Sequence, residues 1–260
     1  MDTSDWGTFG RVLRPPMLGW RTRIGVLVPP GNPTVEPELY RMTPRGVSVH
    51  FARMDSTESA SAPGAPAGME DRTRAYVDSL PGPARTLAAV NPAVVVLAFT
   101  AASYSSGFKN EETLSDRIAA LTGTRAVTAA QAIFAALRHL QVKKLALGTP
   151  YPESISAMGR AYWESAGFHI VGYRRLANVE NIYDESEERA YQLARQADAP
   201  DADAVLLSGT GLPTVGVLEV LERDLGKPVI SSNQASLWRA LDLAGVRESI
   251  SGFGRLLGGK

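Results

Sequence analysis

The sequence repeats a short apolar run that ends in a loop of small and hydroxyl-bearing residues, and this repetition constrains the fold more than any other feature. The pattern occurs four times, as VPPGNPTVEPE at 28–38, LAFTAASYSSG at 97–107, GTPYPESIS at 148–156 and LSGTGLPTVG at 207–216. The first copy corresponds to the third, and the second to the fourth. The repetition predicts two similar α/β lobes related by a pseudo-twofold axis, with the four loops around a cleft between them, where the carboxyl ends of the strands face each other.

Short runs of Val, Leu, Ile and Ala alternate with longer segments of helical period, which is typical of parallel sheets covered by helices. The predicted strands are 23–28, 47–54, 93–99, 143–149, 169–176, 204–209 and 227–232. The predicted helices are 72–89, which Pro-Gly-Pro interrupts, and the more regular 128–140, 153–166, 185–197, 214–225 and 233–244. The fold class is therefore α/β, with parallel sheets flanked by helices.

The elements divide the chain into an N-terminal extension, 1–22, a first lobe, 23–125, and a second lobe, 126–232. The closing helical region, 233–260, can return to pack on the first lobe. The segment 57–71 is too rich in Ser, Pro and Gly to hold an element, so it forms either a lid over the cleft or a simple connection. Its composition favours the connection.

The charge balance gives no indication of a nucleic acid or an anionic membrane as partner. The chain has 27 basic and 27 acidic residues, with net charge +0 and no basic stripe. No segment has the uninterrupted apolar stretch of a signal peptide or a membrane span, and the expected location is cytoplasmic. A small carboxylate or related carbonyl compound fits this composition as ligand, and homo-oligomerisation stays open.

The sequence contains no cysteine. This excludes disulfides, thiolate metal sites and every mechanism that uses a cysteine as nucleophile, acid or base. His50, His139 and His169 are isolated from other ligand-type residues, so we expect neither a metal nor a Ser-His-Asp triad. The glycines of GTGLPTVG do not follow the G-x-G-x-x-G spacing, and we expect no organic cofactor.

Several segments resemble the Asp/Glu racemase superfamily, and within it the branch of maleate isomerase and arylmalonate decarboxylase. The resemblance covers nearly the whole chain from Trp20 onward and rests on GWRTRIGVLVPPGNPTVEPE, TPYPES, NIYDES, SSNQASLW and SGFGRLL. It implies that Asn32 is a substrate-binding amide and that Tyr151 is the active-site tyrosine. It also implies, from a looser match, that Asn181 is a second substrate-binding amide.

The chain departs from this branch at the residues that carry its chemistry. In the racemases and isomerases of the family both repeated loops begin Cys-Thr, and the decarboxylases keep only the second cysteine. Here Thr100 and Thr210 are kept, while the cysteine positions hold Phe99 and Gly209. Two-base racemisation, nucleophilic isomerisation of maleate and thiol-dependent protonation after decarboxylation all lack their sulfur, so the resemblance predicts the fold better than the reaction. We expect Gly209→Cys to fit the second loop without much additional room.

The remaining residues of the loops still suit a carboxylate or an enolate. We predict that Thr100, Ala101, Thr210 and Gly211 line two nests of backbone N–H and hydroxyl donors. The alternative is that these small residues only end their strands. Tyr104 and Tyr151 are the phenols on or beside the cleft loops, and both act better as acids than as bases because an ordinary tyrosine has a pKa near 10.

These observations favour a lyase or isomerase that acts on a small carboxylic acid through an enolate-like intermediate, without a cofactor and with proton transfer by a group other than a thiol. The assigned catalytic residues are Tyr151, Thr100 and Thr210. The assigned substrate-binding residues are Asn32, Phe99, Ala101, Tyr104, Asn181, Gly209 and Gly211. Two alternatives stay open: a catalytically silent protein that binds small acids, and a hydrolase or hydratase with a water positioned near Glu36 or Tyr151. Glu36 itself is interpreted as structural, because acids are common in the first turn of a helix.

Overall fold

Two separate four-stranded parallel sheets are present in the computed structural model, which describes residues 18–55 and 68–259. The first sheet has the order β2-β1-β3-β4, and its strands are β1 Thr22–Val28, β2 Val47–Arg53, β3 Val94–Leu97 and β4 Arg125–Thr128. The second has the order β6-β5-β7-β8, with β5 Lys144–Thr149, β6 His169–Arg175, β7 Ala204–Leu207 and β8 Val229–Ser231. The two orders match position by position, which confirms the predicted fold of two similar α/β lobes.

Helices cover both sheets. They are α1 Val35–Met42, α2 Met69–Asp78, α3 Pro81–Ala88, α4 Thr100–Ser106, α5 Glu111–Thr122, α6 Ala129–His139, α7 Glu153–Ser165, α8 Glu187–Ala197, α9 Leu218–Leu225, α10 Ser232–Leu243 and α11 Gly254–Gly258. Short 3₁₀ helices span Phe108–Asn110 and Ile182–Asp184. Within residues 18–55 and 68–259, no helix is long and apolar enough to cross a membrane.

The burial of each strand explains its sequence. The central strands β3 and β7 read VVVL and AVLL and are buried at every position, because helices pack on both faces of a parallel sheet. The edge strands β2 and β6 are only half buried and carry His, Tyr and Arg. The last strand of each sheet ends in a capping box, Thr128 with Gln131 before α6 and Ser231 with Gln234 before α10.

Some boundaries differ from the sequence-based prediction. The strand β4 is absent from that prediction, and the expected lobe boundary at residue 125 falls at the start of this strand. The predicted helix 72–89 is two helices, α2 and α3, because Pro81 begins a new helix at its first position. Of the expected loop at 57–71, residues 57–67 lie outside the described part, and 69–71 already belong to α2.

The C-terminal helix α10 connects the two lobes. It packs against α1 and β3 of the first lobe and against α6, and it follows β8 of the second sheet without a loop. The N-terminal extension begins to be described at residue 18, and Arg21 pairs with Glu248 near the other end of the chain at 2.9 Å. The chain therefore returns to the first lobe after completing the second sheet.

Candidate active site between the lobes

The repeated loops of the two lobes are in direct contact. The Thr210 hydroxyl donates to the carbonyl oxygen of Ala98 at 2.9 Å, and the Thr34 hydroxyl donates to that of Gly211 at 3.0 Å. The Asn32 side-chain amide approaches the Thr210 hydroxyl oxygen at 3.4 Å. The other end of that amide accepts from the backbone N–H groups that follow it and so shapes the first loop.

The two threonines of the repeated loops are buried and already hydrogen-bonded within the protein. Thr100 donates to the Ser232 hydroxyl at 3.3 Å, and the backbone N–H of Gly209 donates to the same oxygen at 2.9 Å. Ser232 at the start of α10 therefore joins the two loops at Gly209 and next to Phe99, the two positions where the resemblance places the cysteines. Sequence reasoning missed Ser232, although SSNQASLW places a hydroxyl at the first turn of a helix directly after a strand.

Tyr151 lies where the two loops come together. Its hydroxyl oxygen is 3.3 Å from the point where a Cβ atom would stand on Gly209. Burial raises the pKa of the Tyr151 phenol well above its usual value, and the hydrogen bond with the Thr100 hydroxyl acts in the opposite direction. The phenol is thus held in its neutral, protonated form beside both repeated loops.

The backbone of Gly209 changes the expectation for a cysteine at this position. Its φ is +115°, a conformation that residues with a side chain rarely adopt. A Cβ would also stand 3.1 Å from the Pro150 ring. The prediction that Gly209→Cys needs little additional room is therefore wrong, because a thiol at 209 requires the loop to change its backbone.

Tyr104 connects the lobes and does not line the cavity beside Tyr151. Its hydroxyl accepts from the Trp163 indole N–H at 2.9 Å and bonds the Ser208 hydroxyl at 2.5 Å. In the bond with Ser208 either hydroxyl can be the donor. Burial raises the pKa of this phenol too. The ring packs edge-on against Tyr151, with centroids 6.3 Å apart, so Tyr104 supports the candidate proton donor from behind.

A buried carboxylate holds the second loop against the first lobe. Glu38 accepts from the backbone N–H of Val215 at 2.8 Å and from the Asn233 amide at 2.7 Å. The same amide donates to the carbonyl oxygen of Thr210. Burial raises the pKa of Glu38, and these hydrogen bonds oppose the increase. Glu36, by contrast, forms an ion pair with Arg53 at 2.8 Å.

A cavity of about 660 Å³ opens beside Tyr151. Of the residues assigned to the site from the sequence, Phe99, Tyr151 and Asn181 line it. The others lie behind this wall: Asn32, Thr100, Ala101, Tyr104, Gly209, Thr210 and Gly211 are buried. Asn181 caps the 3₁₀ helix, since its amide oxygen accepts from the backbone N–H of Tyr183. The rest of the wall comes from α2, the start of α7 and residues 178–183.

Tyr183 separates the buried loops from the cavity. A Cβ on Gly211 would stand 2.7 Å from its ring, and one on Gly31 would stand 3.4 Å from it. The segment that carries the ring is held at both ends by Arg189, which donates to the carbonyl oxygen of Ala177 at 2.6 Å and pairs with Glu185. Sequence reasoning missed Tyr183, because neither glycine indicates which ring covers it.

Within the described residues, no group of three His, Cys, Asp or Glu side chains is arranged to hold a metal ion. The polar groups that face the cavity are phenols, amides and the charged side chains of arginine and glutamate. These groups can bind and protonate an organic anion.

Comparison with known proteins gives the same class as the fold. The family profile of arylmalonate decarboxylase matches residues 24–257. The chain is 31% identical to the arylmalonate decarboxylase of Bordetella bronchiseptica over 238 residues, which cover 90% of this chain and 95% of that protein. It is 30% identical to the maleate isomerase of Nocardia farcinica over 250 residues, again 90% and 95% of the two chains.

Solved structures of the same two kinds of enzyme have a fold similar to that of this chain. A crystal structure of arylmalonate decarboxylase matches with a TM-score of 0.74 at 28% identity, covering 90% of this chain and 98% of that one. The Nocardia farcinica maleate cis-trans isomerase bound to TRIS matches with a TM-score of 0.79 at 25% identity, covering 92% and 98%. A variant of the same isomerase holds a covalently bound succinylcysteine intermediate.

The fold and the inter-lobe site thus define a two-lobed α/β protein of the class that includes decarboxylases and isomerases of small carboxylates. The chain belongs to the arylmalonate decarboxylase family. This confirms the resemblance found in the sequence. Because the chain contains no cysteine, the covalent cysteine adduct seen in the isomerase cannot form here.

Proposed function

We propose that this protein is a lyase or isomerase that acts on a small carboxylic acid through an enolate-like intermediate, with Tyr151 as the proton donor in place of a thiol. The observation that carries the proposal is the position of the Tyr151 hydroxyl, 3.3 Å from the Cβ point of residue 209. The resemblance places the acidic thiol of the decarboxylases at that residue. The chain therefore has a different acid next to the place where the family has its sulfur.

In the decarboxylation that we favour, the bond between the α-carbon and one carboxylate breaks and CO₂ leaves. The electron pair stays on the α-carbon and is delocalised over the second carboxylate as an enolate. The Tyr151 O–H bond then breaks as its proton moves to the α-carbon, and water restores the proton of the phenolate. Thr100 supports this step because its hydrogen bond with the phenol favours the ionised form of Tyr151.

The apolar ring of Phe99, which lines the same cavity as Tyr151, favours loss of a carboxylate. Phe99 and Tyr76 pack with ring centroids 5.9 Å apart, and both line the cavity. An apolar wall removes water from a carboxylate, and this destabilises the charged ground state relative to neutral CO₂. Phe99 therefore contributes a desolvating surface at the position where the isomerases have their first cysteine.

The proposal is tested by measuring CO₂ release from phenylmalonate and conversion of maleate to fumarate, for the parent and for Tyr151→Phe. We expect CO₂ release by the parent that iodoacetamide does not affect. In Tyr151→Phe we expect the rate of CO₂ release to fall about 100-fold, which is the lower end of the range that a positioned general acid contributes. Binding of phenylmalonate without turnover supports the silent binding protein instead. Full activity of Tyr151→Phe contradicts the assignment of the donor.

A hydratase with water activated by Glu36 has less support from the geometry. The Glu36 carboxylate is paired with Arg53 and does not line the cavity beside Tyr151. The same arginine donates to the carbonyl oxygens of Pro30 and Asn32. Glu36 is thus bound to a side chain that shapes the first loop, as expected for a structural residue.

A further inference from the structure

Three hydrogen-bond donors belong to residues of the cavity wall and have no acceptor among the described residues. They are the guanidinium of Arg72 and the hydroxyls of Tyr76 and Tyr183, and all three residues line the cavity wall. None of these groups donates to another residue within 18–55 or 68–259. Donors that have no protein partner are available to a ligand.

The fold brings these donors to one part of the wall. Arg72 and Tyr76 are four residues apart on α2 and therefore share a helix face. Tyr183 comes from the second lobe, and both Arg72 and Tyr76 are close enough to shift the pKa of its phenol. Burial, with a smaller contribution from Tyr76, raises the pKa of Tyr183 to about 12, and the positive charges of Arg72 and Arg53 act in the opposite direction.

Charge compensation distinguishes Arg72 from the other arginines nearby. Arg175 also lines the cavity, but it pairs with Glu153 at 3.0 Å. Arg53 is paired with Glu36. Glu180 lines the wall and is exposed to solvent. Arg72 thus presents a charge that no carboxylate of the described chain neutralises, next to two phenols.

The cavity is also larger than a four-carbon diacid requires. Its volume of about 660 Å³ is in the range of pockets that hold drug-sized ligands, roughly 300–1,000 Å³. The rings of Tyr76, Phe99 and Tyr183 form much of its wall. Such a wall suits a flat aromatic body between the reacting carboxylate at Tyr151 and the donors.

We propose that the substrate is an α-aryl dicarboxylic acid that carries a further anionic group on its ring, and that Arg72, Tyr76 and Tyr183 bind this distal group. The inference rests on the proposed function, because it places the reacting end of the substrate at Tyr151. It adds a selection for charge on the ring, which the overall family assignment does not supply.

Calorimetric titration with three compounds tests the inference, and the full-length Tyr151→Phe protein, in which turnover is slow, serves as the parent for the substitutions below. The compounds are phenylmalonate, 4-carboxyphenylmalonate and 4-nitrophenylmalonate, whose nitro group has the shape of the carboxylate without its charge. We expect the parent to bind the 4-carboxy compound about tenfold more tightly than the 4-nitro compound, the effect of one charge-assisted hydrogen bond. Arg72→Gln should remove this preference without changing the affinity for phenylmalonate.

Arg175→Gln is the matched control, because it removes a paired arginine from the same wall and should keep the preference. Tyr76→Phe should reduce the preference about threefold, since one neutral donor is lost. Equal binding of the 4-carboxy and 4-nitro compounds by the parent overturns the inference. A preference for the 4-carboxy compound that persists in Arg72→Gln also overturns it. Both results leave the proposed function intact. Failure of all three compounds to bind overturns both.

Discussion

The hydroxyl of Tyr151 lies 3.3 Å from the point where a Cβ would stand on Gly209. The Tyr151 phenol therefore lies next to the position where the decarboxylases of the family have a cysteine, at the junction of the two lobes. The oxygen is also in contact with the Thr100 hydroxyl of the other repeated loop. Both copies of the loop therefore meet at one titratable group, and this relationship leads to the following predictions.

Gly209→Ala should lower the free energy of unfolding by about 1–2 kcal/mol, the cost of a left-handed backbone for a residue with a Cβ. Contact with Pro150 adds to this cost. The matched control is Gly226→Ala, whose φ is +71° but whose Cβ would have no neighbour within 4 Å. Urea denaturation of both variants separates the two effects. A smaller loss in Gly209→Ala than in Gly226→Ala contradicts the described loop geometry.

Gly209→Cys should be destabilised in the same way and should not gain thiol-dependent decarboxylation of phenylmalonate. The reason is that the backbone of residue 209 directs a side chain into Pro150 and the Tyr151 hydroxyl. CO₂ release before and after iodoacetamide treatment measures the effect. Activity that rises above the parent and is abolished by the reagent shows that the loop accommodates a cysteine.

Ser232→Ala should lower the free energy of unfolding by about 1–3 kcal/mol, because it leaves two buried donors without an acceptor. These donors are the Thr100 hydroxyl and the backbone N–H of Gly209. Ser236→Ala, one turn along the same helix, serves as the control, because within the described residues its hydroxyl bonds only the Ser232 carbonyl oxygen. Equal stability of the two variants argues against Ser232 as the link between the loops.

Sequence and structure agree where burial alone determines the pattern. The continuous apolar runs of β3 and β7 are visible because both faces of these strands are covered. The strand β4 reads RAVT and begins with an exposed Arg125, so its four residues show neither alternation nor a continuous apolar run. The resemblance of TPYPES predicts Tyr151 as a site residue, and the structure places Tyr151 in the cavity wall.

The parts that sequence reasoning missed depend on long-range contacts. Ser232 is 132 residues from Thr100 in the chain, and Tyr183 covers a glycine of each lobe. Thr100 and Thr210 also depend on residues that are distant in the sequence. Their hydroxyl groups donate to protein acceptors, Ser232 and Ala98, that the loop sequences do not reveal. Local composition predicts a donor, but it cannot predict which partner takes it.

Glu38 should make the stability depend on pH with an unusual sign. Its pKa is raised by burial in the folded protein, so folding binds a proton more tightly at this carboxyl. Its contribution is fully present below the unfolded value near 4.5 and is lost as pH rises through the folded value. Denaturation at several pH values should show this loss in the parent and not in Glu38→Gln, which cannot titrate. Parallel pH profiles contradict the raised pKa.

The proton donor can be tested through the configuration of the product. Decarboxylation of 2-methyl-2-phenylmalonate creates a stereocentre when the enolate receives its proton. A single donor fixed at Tyr151 reaches one face of that enolate, whereas water reaches both. Chiral chromatography of the 2-phenylpropionate formed measures the ratio of the two enantiomers.

The account predicts one enantiomer in large excess from the parent, and a slow reaction that gives a racemic product in Tyr151→Phe. Tyr104→Phe is the control, because it removes a buried phenol that does not line the cavity. It should keep the configuration of the product. A racemic product from the parent, or an unchanged enantiomeric excess in Tyr151→Phe, would contradict the claim that Tyr151 replaces the thiol as proton donor.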